Sequence, residues 1–130
     1  MTVAELRATE PERPPGYDKV IGPRARFGVI APSTNTTVEA DLWAVRPSGV
    51  SFHTGRMYIP SPRIASDEDF SALIGQIRAS IETAVRDVMT CFPTYMLMGM
   101  SAETFWGGVQ GNRDFIDRIT QRTGLGVSTG

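Results

Sequence analysis

The stretch RFGVIAPSTNTTVE, residues 26–39, decides the fold. Phe27-Gly28-Val29-Ile30-Ala31 is a short apolar run ending at Pro32, the pattern of a strand buried on both faces. Ser33-Thr34-Asn35-Thr36-Thr37 then supply side chains that cap a helix, ahead of the apolar positions Val38, Leu42 and Val45. Pro47 stops that helix.

The pattern repeats downstream. Val50, Phe52 and Thr54 alternate with Ser51, His53 and Gly55 before Arg56-Met57-Tyr58-Ile59-Pro60, which reads as a second strand followed by a loop holding Pro60 and Pro62. Ser66 with Asp69 three residues on is a helix-start signal, and Asp67, Glu68 and Asp69 sit where the helix dipole favours negative charge. Phe70, Leu73, Ile74, Ile77, Ile81, Ala84, Val85, Val88 and Met89 recur at three and four, one apolar stripe of a long helix. Gly75 inside it costs about 1 kcal/mol relative to Ala and does not overturn the reading. Thr94 to Gly99, introduced by Pro93, reads as a third strand. Asn112 is expected to cap a helix carrying Phe115, Ile116 and Ile119, with Gly124 as its stop. Val127-Ser128-Thr129 reads as a fourth strand. Strands alternating with helices imply parallel β-α-β units with right-handed crossovers, hence an open parallel α/β sheet with helices on both faces.

Length and composition agree with one such domain. The chain has 130 residues, of which 41% are hydrophobic and 21% charged, with a formal charge of −1. That balance suits a globular domain and gives no electrostatic case for nucleic acid or an anionic membrane. No window approaches the roughly 20 apolar residues of a membrane span, and the N-terminus is polar, so a cytoplasmic protein is expected. Residues 1–24 hold Pro11, Pro14, Pro15, Gly16, Gly22 and Pro23 among charges, too little apolar area to offset the entropy of ordering. They read as a tail, flexible or docked late, before a domain over 25–130. Cys91 is the single cysteine and His53 the single histidine, which excludes an internal disulfide and a Cys/His zinc cluster. Lys19 is the only lysine, so a Schiff-base or phosphate-binding lysine has no good candidate.

In open parallel sheets ligands bind beyond the carboxyl ends of the strands. Two such ends are alike here: Ala31-Pro32-Ser33-Thr34-Asn35, and Gly99-Met100-Ser101-Ala102 within MLMGMSAETFWGG, residues 96–108. Each offers backbone N–H groups and hydroxyls at or near a helix start, a setting that favours an anion. The same residue types also cap helices that bind nothing. No P-loop lysine and no G-x-G-x-x-G follow the first strand, so a small carboxylic acid fits better than a nucleotide phosphate.

FGVIAPSTNTTVE with SFHTGRM after it resembles the opening of maleate cis-trans isomerases, and LMGMSAETFWGG resembles the matching region of arylmalonate decarboxylases. Both belong to the aspartate/glutamate racemase superfamily, and the similarity runs from about Arg26 to Gly130. The resemblance implies the N-terminal half of a protein about twice this length, with two flavodoxin-like halves related by pseudo-symmetry and the active site between them. It implies no metal and no organic cofactor. Each half offers a strand-end position for a catalytic cysteine. Racemases and isomerases have both, whereas the decarboxylases keep only the second, which protonates an enediolate after carbon dioxide leaves. Gly99 stands at the first position, which favours decarboxylase-like or divergent chemistry. Asn35 matches the isomerases' substrate-carboxylate asparagine, Pro32 and Ser33 match the loop beside it, and Ser101 matches a hydroxyl contributor to the decarboxylases' oxyanion site. Met100 replaces an expected threonine, so that hydroxyl is lost while the backbone N–H remains.

The second cysteine would lie beyond Gly130. Cys91, at the end of the long helix before Pro93, reads as a small packing residue. His53 is open to acid/base work or a structural role. Arg56 fits a substrate carboxylate, a neighbouring acid or an exposed strand face, Glu103 a loop or helix-start charge, and Phe105 with Trp106 a pocket wall or packing onto the sheet. The expected function is a cofactor-independent decarboxylase- or isomerase-like enzyme acting on a small carboxylate or dicarboxylate through an enolate-like intermediate. The alternative is a non-catalytic half-domain that binds a small carboxylate or only assembles with a partner. Homo-oligomerisation or pairing with a second domain is expected, since an isolated half exposes apolar surface.

Overall fold

A computed structural model describes residues 12–61, 63–101 and 107–129. Four strands, β1 (Ala25–Pro32), β2 (Val50–Met57), β3 (Tyr95–Met98) and β4 (Val127–Thr129), form one sheet in the order β2-β1-β3-β4. Every pairing is parallel, with Phe27 opposite Phe52 and Tyr95, and Ile30 opposite Gly55 and Met98. The helices are α1 (Tyr17–Val20), α2 (Val38–Ala44), α3 (Asp67–Met89) and α4 (Gly108–Thr123). This is an α/β fold with a flavodoxin-like open sheet.

Given the strand order, handedness sets which face each helix covers. A right-handed crossover from β1 to β2 places α2 on one face; the chain then steps back across β1 to β3, so α3 must cross the opposite face, and α4 follows it there. The core lies under α3 and α4, where Ile30, Met57, Met96 and Met98 of the sheet meet Ile77, Ile81, Val85, Val88, Phe115 and Ile119. Gly55 permits the close approach of α3, since a Cβ there would lie 2.7 Å from the Ala84 carbonyl oxygen. The other face carries Phe27, stacked on Phe52 and edge-on to Tyr95, with Trp43 of α2 against Phe52.

The start of α3 matches the sequence reading. Ser66 Oγ accepts from the Asp69 N–H, and Asp69 Oδ2 accepts in return from the Ser66 N–H, a complete capping box. Its apolar stripe is buried only from Ile77 onward, and Phe70 remains 53% exposed. The reason is length: 23 helical residues span about 35 Å, whereas an eight-residue strand such as β1 spans about 26 Å, so the first turns of α3 overhang the sheet. β2 ends at Met57 because the Tyr58 and Ile59 N–H groups leave the ladder to bond Ser80 Oγ and Ser33 Oγ.

The expected Asn112 cap is corrected by the structure. α4 begins one turn earlier, at Gly108, after Gly107 in the left-handed region. Asn112 therefore lies inside the helix, with its Oδ1 buried and unbonded among the described residues. Two adjacent glycines read as loop in a sequence, yet glycine also serves at helix starts. Gly124 does stop the helix, at φ 72°.

At the amino ends of the strands, Arg26 holds the preceding segment. Its side chain, 6% exposed, pairs with Asp18 at 2.9 Å, donates from Nε to the Phe92 carbonyl at 2.8 Å, and lies over the Tyr17 ring. Tyr17 donates its hydroxyl hydrogen to the Cys91 carbonyl at 3.1 Å and meets the Phe92 ring edge-on.

Candidate functional site

The crossovers diverge between β1 and β3, leaving a crevice beyond the carboxyl ends of these two strands. The fold thus brings the two similar strand ends together. The Gly99 N–H donates to the Ile30 carbonyl at 2.7 Å, extending the β1–β3 ladder one step past Met98.

On the β1 side the chain turns sharply, the Asn35 N–H donating to the Pro32 carbonyl at 2.9 Å. Asn35 Oδ1 then accepts three hydrogen bonds, from the N–H of Thr37 (2.9 Å), the Thr37 hydroxyl (3.2 Å) and the N–H of Val38 (3.0 Å). Asn35, not the formal cap Thr37, supplies the side-chain cap of α2. Two backbone donors define which end of the amide is oxygen, so the orientation of the group is chemically determined. Nδ2, the donor end, has no partner among the described residues. Since Asn35 itself occupies the first helix donors, the backbone N–H groups of this loop without a partner among the described residues are those of Thr34 and Thr36.

Arg56, at the carboxyl end of β2, holds this loop in shape. Its Nη1 pairs with Glu39 at 2.6 Å, and Nη2 donates to the carbonyls of Asn35 (2.6 Å) and Ser33 (3.0 Å), with Pro32 at 3.4 Å. Of its sequence readings, the structure shows the pair with a neighbouring acid, Glu39. The planar fork suits several carbonyls at once. Ser33 is similarly occupied, its N–H donating to the Met57 carbonyl at 2.7 Å and its Oγ accepting from Ile59 at 2.9 Å. The organising role of Arg56 was not legible in the sequence, because the carbonyls it gathers lie 21 to 24 residues away.

On the β3 side, a Cβ at Gly99 would lie 3.1 Å from Val38 Cγ2 and 3.3 Å from the Ile30 carbonyl oxygen. A side chain at this position would point toward α2. There a cleft of about 180 Å³ is lined by Val29, Val38, Leu42, Leu97, Met98, Gly99, Ser128 and Thr129. Met100 packs against the core, so its side chain serves structure, while its N–H has no partner among the described residues. Ser101 is exposed and its hydroxyl makes no hydrogen bond among the described residues. Asn35 Nδ2 and the N–H groups of Thr34, Thr36, Met100 and Ser101 are donors without a partner among the described residues at one end of the sheet, and the described loop residues 32–37 and 99–101 include no carboxylate.

Other candidates lie elsewhere. His53 sits opposite Gly28, four register positions short of the Pro32–Met57 pair, with Nε2 2.9 Å from Ser51 Oγ. Burial, and then the Arg26 charge, lower its pKa from the ordinary 6.5. Cys91 precedes β3 and so stands at the opposite end of the strand from Gly99. Glu103, Phe105 and Trp106 lie outside the described residues. Among those described, no group of three or more His, Cys, Asp or Glu is placed to hold a metal ion, and no helix is long and apolar enough to cross a membrane.

No family model matches the sequence, and no curated protein does. Among solved structures, the fold is similar to that of a Nocardia farcinica maleate cis-trans isomerase bound to TRIS, with a TM-score of 0.61 and 21% identity over 81% of this chain and 44% of that one. The matched part of the chain thus spans less than half the length of this structural relative, and what the two share is the α/β fold.

Proposed function

We propose that this chain is the carboxylate-holding half of a cofactor-independent decarboxylase- or isomerase-like enzyme acting on a small carboxylic or dicarboxylic acid. The observation that carries the reading is the Asn35 amide. With Oδ1 locked by three donors, Nδ2 is a preorganised donor in the loop after β1, without a partner among the described residues. The fold likeness to a maleate isomerase supports it.

The chemistry follows from where charge develops. In a decarboxylation the electron pair of the breaking C–C bond spreads onto the retained carboxylate as carbon dioxide departs, giving an enediolate; an isomerisation through an enolate loads the same oxygens. Donors already aimed at those oxygens stabilise the transition state more than the ground state, a contribution of several kcal/mol. Asn35 Nδ2, the Met100 N–H and the Ser101 N–H and hydroxyl are the groups proposed for this, with Pro32 and Ser33 shaping the loop and the missing side chain of Gly99 leaving room. A proton must return to the α-carbon. Cys91 stands at the wrong end of the sheet to deliver it, so a thiol on a second half is proposed as the donor.

The substitution Asn35→Asp separates binding from folding. An aspartate oxygen can still accept from Thr37 and Val38, so thermal stability is expected to stay near that of the unaltered chain, but the donor is replaced by a negative charge. Malonate and maleate titrated into the ¹⁵N-labelled chain should shift the amides of residues 33–38 and 99–101, and Asn35→Asp should weaken binding by about tenfold or more, the worth of one charge-assisted hydrogen bond. Equal binding by the variant would remove the basis of the reading.

A further inference from the structure

α3 and α4 lie side by side over the core, and their facing charges are in step. Arg122 of α4 pairs with Glu82 of α3, its Nη2 also donating to the Glu82 carbonyl at 3.3 Å. One turn earlier on both helices the facing residues are Arg118 and Arg78, which line a cleft of about 290 Å³ together with Gly111, Asp114 and Phe115. An ion pair is thus followed by a like-charge rung. Neither Arg78 nor Arg118 has an acidic partner among the described residues, and Arg118 rests over the Phe115 ring at 5.5 Å. Asp114 is the one acid in the cleft lining, and its Oδ1 accepts from Gln110 Nε2 at 2.8 Å. Two guanidinium groups against one carboxylate leave the cleft positive.

We propose that this cleft is an anion site that takes a phosphate group bridging Arg78 and Arg118. The two forks present more donors than Asp114 can use, and the tetrahedral oxygens of a phosphate can serve both at once. Desolvation of Arg118, followed by the Arg78 charge, lowers the Arg118 pKa from its ordinary value. Both effects act against the charged state of Arg118 in the cleft, and a bound dianion would offset them. None of the strand-end residues lines this cleft, so the site is separate from the carboxylate crevice.

The test uses inorganic phosphate at pH 7.5, with ionic strength held constant by chloride and the amides of α3 and α4 followed by NMR. Saturable shifts centred on residues 78, 111, 114 and 118 are expected. Arg78→Gln or Arg118→Gln should each weaken the affinity by about tenfold, and the double substitution should abolish saturation. Both side chains reach the surface, so the variants should fold, and without phosphate the double variant should melt higher than the unaltered chain because the like-charge rung is gone. Asn35→Asp should leave phosphate binding intact, while the arginine variants should leave malonate binding intact. Shifts that fail to saturate, or phosphate binding unchanged in the double variant, would overturn the assignment.

Discussion

At His53, burial and the nearby Arg26 charge both disfavour the protonated ring, so its folded-state pKa lies below the 6.5 of the free side chain. As pH falls, the unfolded chain takes up this proton first. Its contribution to stability is therefore complete above about pH 6.5 and is lost progressively as pH drops through the folded pKa. His53→Gln, which can still bond Ser51, should flatten that part of the stability curve, read from urea midpoints at a series of pH values; an unchanged slope below pH 6.5 would count against it. Asn35 illustrates the other residue-scale lesson. Its type and position suggested either a cap or a ligand for an anion; Oδ1 makes the cap, and the proposed anion contact falls to Nδ2, the chemically different end of the amide. Which end faced the helix depended on the turn at Pro32 and on Arg56, neither of which sequence spacing encodes.

Among the elements, α3 was the most legible, because a capping box and a 3.6-residue apolar period both signal the same helix. Its interior glycine offers a clean test. A Cβ at Gly75 would meet nothing within 4 Å, and the residue is exposed with helical φ, so Gly75→Ala should stabilise the chain by about 1 kcal/mol through propensity alone. A denaturation midpoint that does not rise would mean the helix is frayed at that turn. The start of α4 was not legible. Glycine at 107 and 108 carries no capping side chain, and the polar Asn112 downstream offered a stronger local signal for a cap that the helix does not use. The overhang of α3 was equally hidden, since periodicity reports which face of a helix is apolar but not how much sheet lies beneath it.

For the whole molecule, one face of the sheet is deeply covered by α3 and α4, while among the described residues the other has only the seven residues of α2 across it. Trp43, Val45 and Tyr58 remain 48%, 74% and 67% exposed. Apolar surface left in water favours association, and the chain spans 44% of its structural relative. The proposal of a partner, whether a second copy or a second half, predicts a sedimentation coefficient that rises with concentration; a monomer unchanged across the range would argue against self-association. The amino-acid sequence by itself determined the order of strands and helices, their parallel sense and the residue types at the strand ends, because these rest on local periodicity and on the handedness of crossovers. The tertiary structure alone decided that β1 and β3 are neighbours with their loops joined, that Arg56 gathers the carbonyls around Asn35, and that Arg78 faces Arg118. Those pairings come from contacts between residues far apart in the chain, which local periodicity does not encode.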